Sequence, residues 1–139
     1  MKKEEPMAKY IYPAIFTAEE NGGYSVDFPD LENCFTCGDN LADALEMSED
    51  VLALTLYEYE RDKRSIPSPS AVKAIQLKEN EFMTLVTADT MYYQKKFNNK
   101  AVKKTLTIPE WLNDMATAAN INFSQTLQEA LAQKLGVQL

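Results

Sequence analysis

Three hydrogen-bonding side chains, Lys103, Thr105 and Thr107, alternate with the apolar residues Leu106 and Ile108 in the carboxy-terminal third of the chain. Alternation with a period of two predicts a strand with one buried and one outward face. Lysine and threonine on the outward face have the size and the hydrogen-bonding groups to contact base edges in a DNA major groove. The alternative is a strand that only faces solvent in an oligomer. The elements that follow the strand favour base contact.

Four further residues are candidates for contacts with phosphates. Lys104 lies on the apolar side of the predicted strand, so its long stem is expected to carry its amine outward to a phosphate. Ser124 and Gln125 stand at the predicted start of a helix, where backbone N–H groups can hold a phosphate. Ser124 could also act only as a helix cap, and the two roles are compatible. Lys100, just ahead of the strand, would add non-specific attraction.

Two amphipathic helices follow the strand. Pro109 suits a first helical turn, because its missing N–H would have no partner there. Ser124 is expected to cap the second helix, which ends at Gly136. A unit of roughly forty residues cannot bury this much apolar surface alone, and a single strand leaves its backbone groups unpaired. The sequence therefore predicts an obligate dimer that could also pair into a tetramer. The predicted dimer core consists of Leu106, Ile108, Trp111, Leu112, Met115, Leu127 and Leu131.

The preceding part of the chain predicts an α+β body whose minimal order is β-β-β-α-β. Strands are predicted at residues 10–18, 24–28, 34–37, 71–77 and 82–88, with a long helix from Asn40 to about Arg61. Residues 91–97 could form a helix that packs on the body. The predicted division is a loose tail at 1–8, a body at 9–93, a linker at 94–101 and a strand-helix-helix module at 102–139.

The charge of −7 is unevenly divided along the 139 residues. Residues 94–139 contain six lysines and three acidic residues, a net charge of +3, whereas residues 1–93 carry −10. An acidic body joined to a mildly basic module suggests a cationic partner for the first and phosphates for the second. No apolar run reaches the roughly 18 residues of a membrane span and the start does not resemble a signal peptide, so the expected location is the cytoplasm.

Composition argues against catalysis and against a cofactor. Histidine is absent, which removes the commonest general base and metal ligand. Cys34 and Cys37 form a C-x-x-C pair with no second pair to complete a zinc site, so ordinary thiols are expected, with redox chemistry and metal binding as lesser alternatives. The first predicted strand lacks the acidic residue that a two-metal nuclease of the RNase H type requires. We therefore expect no enzyme, no metal and no cofactor.

The body resembles the HicB-type antitoxins of type II toxin–antitoxin systems. The resemblance is carried by YSVDFPDL at residues 24–31, by CFTCGD at 34–39, and by Leu41, Ala42, Ala44 and Leu45. Asn33 and Asn40 depart from the glycine and threonine that are usual in the family. The resemblance extends over about residues 9–136. The family occurs with either a helix-turn-helix or a ribbon-helix-helix module after the body, and the strand-helix-helix order here is similar to the second.

Membership would imply a partial RNase-H-like fold in the body, without nuclease activity. It would also imply binding of a HicA-type toxin, a small basic RNase that cleaves mRNA, and repression of the chain's own operon at operator DNA. The acidic loop with Asp27, Asp30 and Glu32 is the expected toxin contact. The alternative function is a stand-alone ribbon-helix-helix regulator whose acidic domain senses a small ligand.

Overall fold

The computed structural model describes residues 9–139, so the predicted tail at residues 1–8 lies outside the described residues. Within this range, residues 9–99 and residues 100–139 form two separate compact units. The first unit contains β1 (Lys9–Ala18), β2 (Tyr24–Asp27), β3 (Phe35–Gly38), α1 (Leu41–Arg61), β4 (Glu81–Asp89) and α2 (Met91–Phe97). The second contains α3 (Glu110–Ala118) and α4 (Phe123–Leu135). The predicted α+β class is confirmed.

The body, residues 9–99, is built on a four-stranded antiparallel sheet in the order β3-β2-β1-β4. β1 is the longest strand, and its residue Phe16 lies opposite Val26 on one side and Phe82 on the other. The hairpin between β1 and β2 closes at Gly22, whose φ of 88° is a left-handed conformation that favours glycine. β3 and β4 are left as the two edges of the sheet.

One face of the sheet packs against α1 and forms the core. Tyr12, Ala14 and Phe16 alternate along β1 toward this helix, and Leu52 and Leu56 of α1 are fully buried against the sheet. Gly38 sits where the helix comes closest to β3, because a Cβ atom at this position would lie 2.3 Å from the backbone nitrogen of Ala44. The alternating pattern of β1 and the helical repeat of α1 therefore meet in one hydrophobic layer.

The ends of α1 agree with the sequence prediction. The Asn40 side chain accepts a hydrogen bond from the backbone N–H of Asp43 at 2.9 Å, which makes Asn40 the N-cap. At the other end, Lys63 takes a left-handed φ of 52° and the N–H of Arg64 donates to the carbonyl of Tyr59 at 2.9 Å. The helix thus stops by a Schellman-type turn with a lysine in the position where glycine is usual.

The predicted strand at residues 71–77 is wrong. This segment contains only a short 3₁₀ turn, Val72–Ala74, and its apolar residues Val72 and Leu77 are exposed. In the sheet, β4 takes the place beside β1 from Glu81 to Asp89, and residues 71–77 are not paired with the outer edge of β4. Short apolar alternation is a weak signal for a strand, because strand formation depends on the packing around the segment.

Helix α2 extends the body beyond the predicted boundary at residue 93. Tyr93 stacks on Tyr57 of α1 with ring centroids 5.9 Å apart, and Phe97 lies at the same distance from Tyr57. Gln94 donates from its side chain to Glu60 at 3.3 Å. Residues 94–97, which were predicted as linker, are therefore helical and attached to α1.

The caps of the second unit, residues 100–139, differ from the prediction at two residues. Pro109 precedes α3 as its N-cap instead of occupying the first turn. Asn122, not Ser124, caps α4, because its side chain accepts the N–H of Gln125 at 3.1 Å. Asparagine is as good a cap as serine, and its use starts the helix at Phe123 and moves Ser124 inside the first turn. Gly136 ends α4 with a φ of 70°, as predicted.

Candidate functional site

The segment with the predicted base-contacting residues is extended and exposed. Residues 101–109 have no regular secondary structure in the single chain, and each of their side chains is exposed. Lys103, Thr105 and Thr107 are thus accessible, and so are Lys100 and Lys104. A lone strand has nothing to pair with, so the predicted ribbon stays a prediction about a second copy of the chain.

The helices beside this segment expose most of their apolar side chains. Between residues 100 and 139 only Ala132 is buried, while Leu127 is half-buried. The exposed apolar residues of this unit include Val102, Leu106, Ile108, Trp111, Leu112, Met115, Ile121, Phe123, Leu131 and Leu135. We call this set the apolar face of the second unit. All but one of the predicted dimer-core residues belong to it, and the exception is the half-buried Leu127.

The start of α4 has a hydrogen-bond arrangement that bears on phosphate binding. The backbone N–H of Gln125 is held by Asn122, and the Gln125 side chain donates to Glu129 at 3.0 Å. Ser124 is exposed in the first turn of the helix. A phosphate at this helix start would compete with the asparagine cap for the Gln125 N–H, which the sequence did not indicate.

The three acidic residues of the predicted toxin contact have different surroundings. Asp27 is exposed at the end of β2, and partial burial raises the pKa of its carboxyl, with a smaller contribution from the nearby charge of Glu81. Asp30 accepts the backbone N–H of Ser70 at 3.0 Å and also the Ser70 hydroxyl, so it ties the segment after α1 to the β2–β3 loop. Glu32 is exposed in that loop.

A cleft of about 870 Å³ lies at the amino-terminal end of β1 and was not anticipated from the sequence. Tyr10 and Tyr12 line one side, and the segment from Ile66 to Pro69 lines the other. The Tyr12 hydroxyl donates to the carbonyl of Pro67, and Tyr10 donates to Glu60 at 2.9 Å. Burial raises the pKa of both phenols, so they stay protonated donors at neutral pH. The Tyr-x-Tyr and Pro-x-Pro spacings were the available sequence signals.

The thiols and carboxylates do not form a reactive centre in the described range. Cys34 is buried with its sulfur 3.9 Å from the carbonyl of Val51, and burial raises the pKa of this thiol, which disfavours the nucleophilic thiolate. Cys37 is an exposed free thiol. Between residues 9 and 139, no three cysteine or acidic side chains converge where they could hold a metal ion. No helix in this range is long and apolar enough to cross a membrane.

Comparison with known proteins gives these surfaces a family context. Residues 12–133 match the family described as the HicB-like antitoxin of bacterial toxin–antitoxin systems. Antitoxin HicB 2 of Photorhabdus laumondii is 26% identical over 122 residues, which cover 86% of this chain and 87% of that protein. Antitoxin HicB 1 of the same bacterium is 41% identical over 61 residues, 44% of this chain, but the match spans only 39% of that protein.

A solved structure agrees in fold. A chain of a toxin–antitoxin complex from Streptococcus pneumoniae is 29% identical with a TM-score of 0.59, and the alignment covers 91% of this chain and 99% of that chain. The chain described here therefore belongs to the family of HicB-like antitoxins. Proteins of this family neutralise and regulate and do not catalyse, so the expectation that this chain is not an enzyme is confirmed.

Proposed function

We propose that this protein neutralises a HicA-type mRNA-cleaving toxin through its acidic body and represses its own operon through its second unit, residues 100–139, whose net charge is +1. The proposal assigns the body a partial RNase-H-like fold without nuclease activity, and it assigns residues 102–139 a ribbon-helix-helix fold. Both activities would take place in the cytoplasm. The family match over residues 12–133 supports the antitoxin role, and the charge division of the chain supports two partners of opposite charge.

One observation carries the DNA-binding half of the proposal, the apolar face of the second unit. So many large apolar side chains are exposed in this unit of forty residues that a partner surface is needed to bury them. A second copy supplies it, because the extended segment 102–108 can then pair with its two-fold mate in an antiparallel ribbon. Leu106 and Ile108 would face the helices of both copies.

The ribbon of the dimer would present Lys103, Thr105 and Thr107 to the major groove. Both copies contribute these residues, so the DNA site would contain six hydrogen-bonding side chains on one side of the ribbon. Lys100 and Lys104 would contact phosphates, and so would the helix start at Ser124 and Gln125. The sequence preference of the operator follows from the threonine contacts, since a threonine can bond a base or pack on a thymine methyl.

Toxin binding would use the body and its negative charge. A small basic toxin approaching this body, whose residues 9–99 carry a net charge of −8, is accelerated by long-range attraction and loses much of this acceleration at high salt. Asp27, Asp30 and Glu32 remain the predicted contact in the β2–β3 loop region. Asp27 is the most interesting of the three, because partial burial raises its pKa and a toxin lysine or arginine would relieve the cost of its charge.

The test is co-expression with the reading frame adjacent to this gene. We expect this protein to restore the growth that the product of that frame inhibits. The two proteins should co-purify as a complex, and the complex should shift DNA from the promoter of the operon in a gel. A truncation that ends before residue 102 should keep the rescue and lose the gel shift. Rescue that also disappears on truncation would show that the body alone is not the inhibitor.

The cleft beside Tyr10 and Tyr12 favours a second candidate, a stand-alone repressor whose body senses a small ligand. Its volume of about 870 Å³ lies within the range of small-molecule sites, and its lining is mainly aromatic and aliphatic. A chain that rescues no neighbouring toxin, but whose operator affinity changes with a small molecule, would support this function. Loss of that response in Ile11→Lys, at an exposed residue of the cleft lining, would place the ligand in the cleft.

A further inference from the structure

The strand β4 forms an unprotected edge of the sheet. Its sequence is EFMTLVTAD, with seven uncharged residues, 82–88, between Glu81 and Asp89. Within residues 9–139 the main chain of 82–88 pairs with β1 only, and no main-chain group on its other side is a partner. An edge of this length is normally blocked by a proline, a lysine in mid-strand or a bulge. β4 has no proline and no lysine.

The side chains of β4 also indicate that something covers this edge. Phe82 and Leu85 lie on opposite faces of the strand and are 39% and 49% exposed. The other edge strand, β3, has four residues against the nine of β4. An uncharged β-forming run on an open edge is an aggregation hazard unless a specific partner pairs with it. The acidic residues at the two ends limit which partners can do so.

Those charges argue against a second copy of this chain. If two β4 strands paired antiparallel along all nine residues, Glu81 of each copy would lie opposite Asp89 of the other. The pairing would therefore place two pairs of like charges side by side, which is destabilising. The two bodies would also repel each other, since each is strongly acidic. Both carboxylates are fixed at the strand ends, because Glu81 accepts the N–H of Lys78 at 2.8 Å and Asp89 accepts the N–H of Met91 at 2.9 Å.

We propose that the edge of β4 is the main docking site of the toxin, which adds one of its own strands to this sheet, and that the β2–β3 loop region with Asp27, Asp30 and Glu32 is a secondary contact. This docking site rests on the proposed function and requires a cationic partner protein with an accessible edge strand. That strand would carry a lysine or arginine near each end, opposite Glu81 and Asp89, and an apolar residue near Leu85. Main-chain hydrogen bonds supply affinity in this kind of recognition, and the charged ends select the register.

Two measurements on the full-length protein test the docking site. The first is amide hydrogen exchange with and without the co-purified product of the adjacent reading frame. We expect the backbone amides of residues 82–88 that point away from β1 to exchange slowly only in the complex, whereas those that donate to β1 are protected in both states. The second is the affinity of Leu85→Lys combined with Thr87→Lys, which places two positive charges on the strand. This double variant should bind the toxin on the order of 100-fold more weakly than the wild type does.

The matched control is Leu54→Lys combined with Met47→Lys, which adds the same two charges at residues of α1 that are 38% and 40% exposed. It should leave toxin affinity within about twofold of the wild type. Protection confined to residues 28–33, or a double variant that binds like the control, would overturn the β4 site and leave the antitoxin role intact. Protection of 82–88 that rises with protein concentration without toxin would assign the edge to a second copy. A wild-type chain that captures no toxin would overturn both this inference and the proposed function.

Discussion

The two units of this chain are stabilised in different ways. The body buries a continuous cluster that includes Tyr12, Phe16, Phe28, Leu52 and Leu56. The second unit, residues 100–139, buries only Ala132. Because hydrophobic burial is the main favourable contribution to folding, the body can hold its fold as a single chain. The second unit needs a partner surface. The comparison teaches that similar fractions of apolar residues can stabilise a fold within one chain or between two.

The charges of the two units follow the same division. The body combines its core with an acidic surface, which suits a partner that binds and leaves. The second unit combines an uncovered apolar face with a lysine-rich segment, which suits permanent pairing followed by DNA binding. Loss of toxin binding and loss of DNA binding should therefore be separable by substitution.

The largest effect is expected from Leu106→Asp. A carboxylate in the predicted dimer core would be left without water or a partner, so the dimer should dissociate and operator binding should disappear. The thermal transition of the body should be unaffected. Sedimentation velocity and a gel shift measure the first two effects, and circular dichroism measures the third. Val72→Asp, at an exposed apolar residue of the body, is the matched control and should change none of the three. A dimeric Leu106→Asp would contradict the comparison.

A core truncation in each unit sharpens the contrast. Phe16→Ala removes a fully buried ring from the body and should cost about 3–5 kcal/mol of unfolding free energy. Because this core lies within one chain, the cost should not vary with protein concentration. The unfolding midpoint of the second unit should rise with protein concentration, because its core forms between two chains. Trp111→Ala should lower this midpoint at each concentration. Urea unfolding at several concentrations distinguishes the two, and identical concentration dependence in both variants would remove the distinction.

Base contact by the ribbon predicts a smaller and more specific effect. Replacing Thr105 and Thr107 by alanine should cost about 1–3 kcal/mol of discrimination at particular base pairs. Lys104→Ala should weaken binding to all sequences alike and reduce its dependence on salt. Gel-shift titrations against the operator and against single-base variants measure both. If operator preference is the same with and without the two threonines, the ribbon does not contact the bases.

The smallest effect concerns Asp27. Its pKa is raised in the folded body, first by burial and then by Glu81, so the ionised form is disfavoured by folding. Ionised Asp27 therefore lowers stability above the unfolded pKa of about 3.9, and the penalty vanishes below it, where both states are protonated. Asp27→Asn should raise the Tm by less than about two degrees at pH 7, because water screens this exposed carboxylate, and by nothing near pH 3. A gain of equal size at both pH values would exclude this cause.

Sequence periodicity predicted the elements that bury one face. β1, β2, α1 and β4 alternate or repeat as their packing requires, and residue type left Asp39 and Asn40 as candidate caps of α1, of which the structure uses Asn40. Residues 71–77 alternate like a strand but pair with no strand, and only the sheet order reveals this. The α4 cap moved to Asn122 because two adequate capping residues stood two positions apart. Composition alone cannot choose between them.

The candidate sites were predictable to a different extent. The exposed lysines and threonines of 103–107 follow from alternation, and the structure leaves them accessible. The cleft and the open β4 edge were missed because each depends on which strands lie side by side. Asp30 looked equivalent to Asp27 and Glu32 in sequence, but its bond to Ser70 joins residues 40 positions apart. Such pairings arise from the fold and leave no local signal.

The central claim is that residues 100–139 form a stable unit only with a second copy of the chain. Sedimentation velocity of the full-length protein over a range of micromolar concentrations tests it most directly. We predict a dimer, or a tetramer of paired dimers, at every concentration at which α3 and α4 remain helical. A strictly monomeric protein that keeps these helices, with its apolar face open to solvent, would contradict the account.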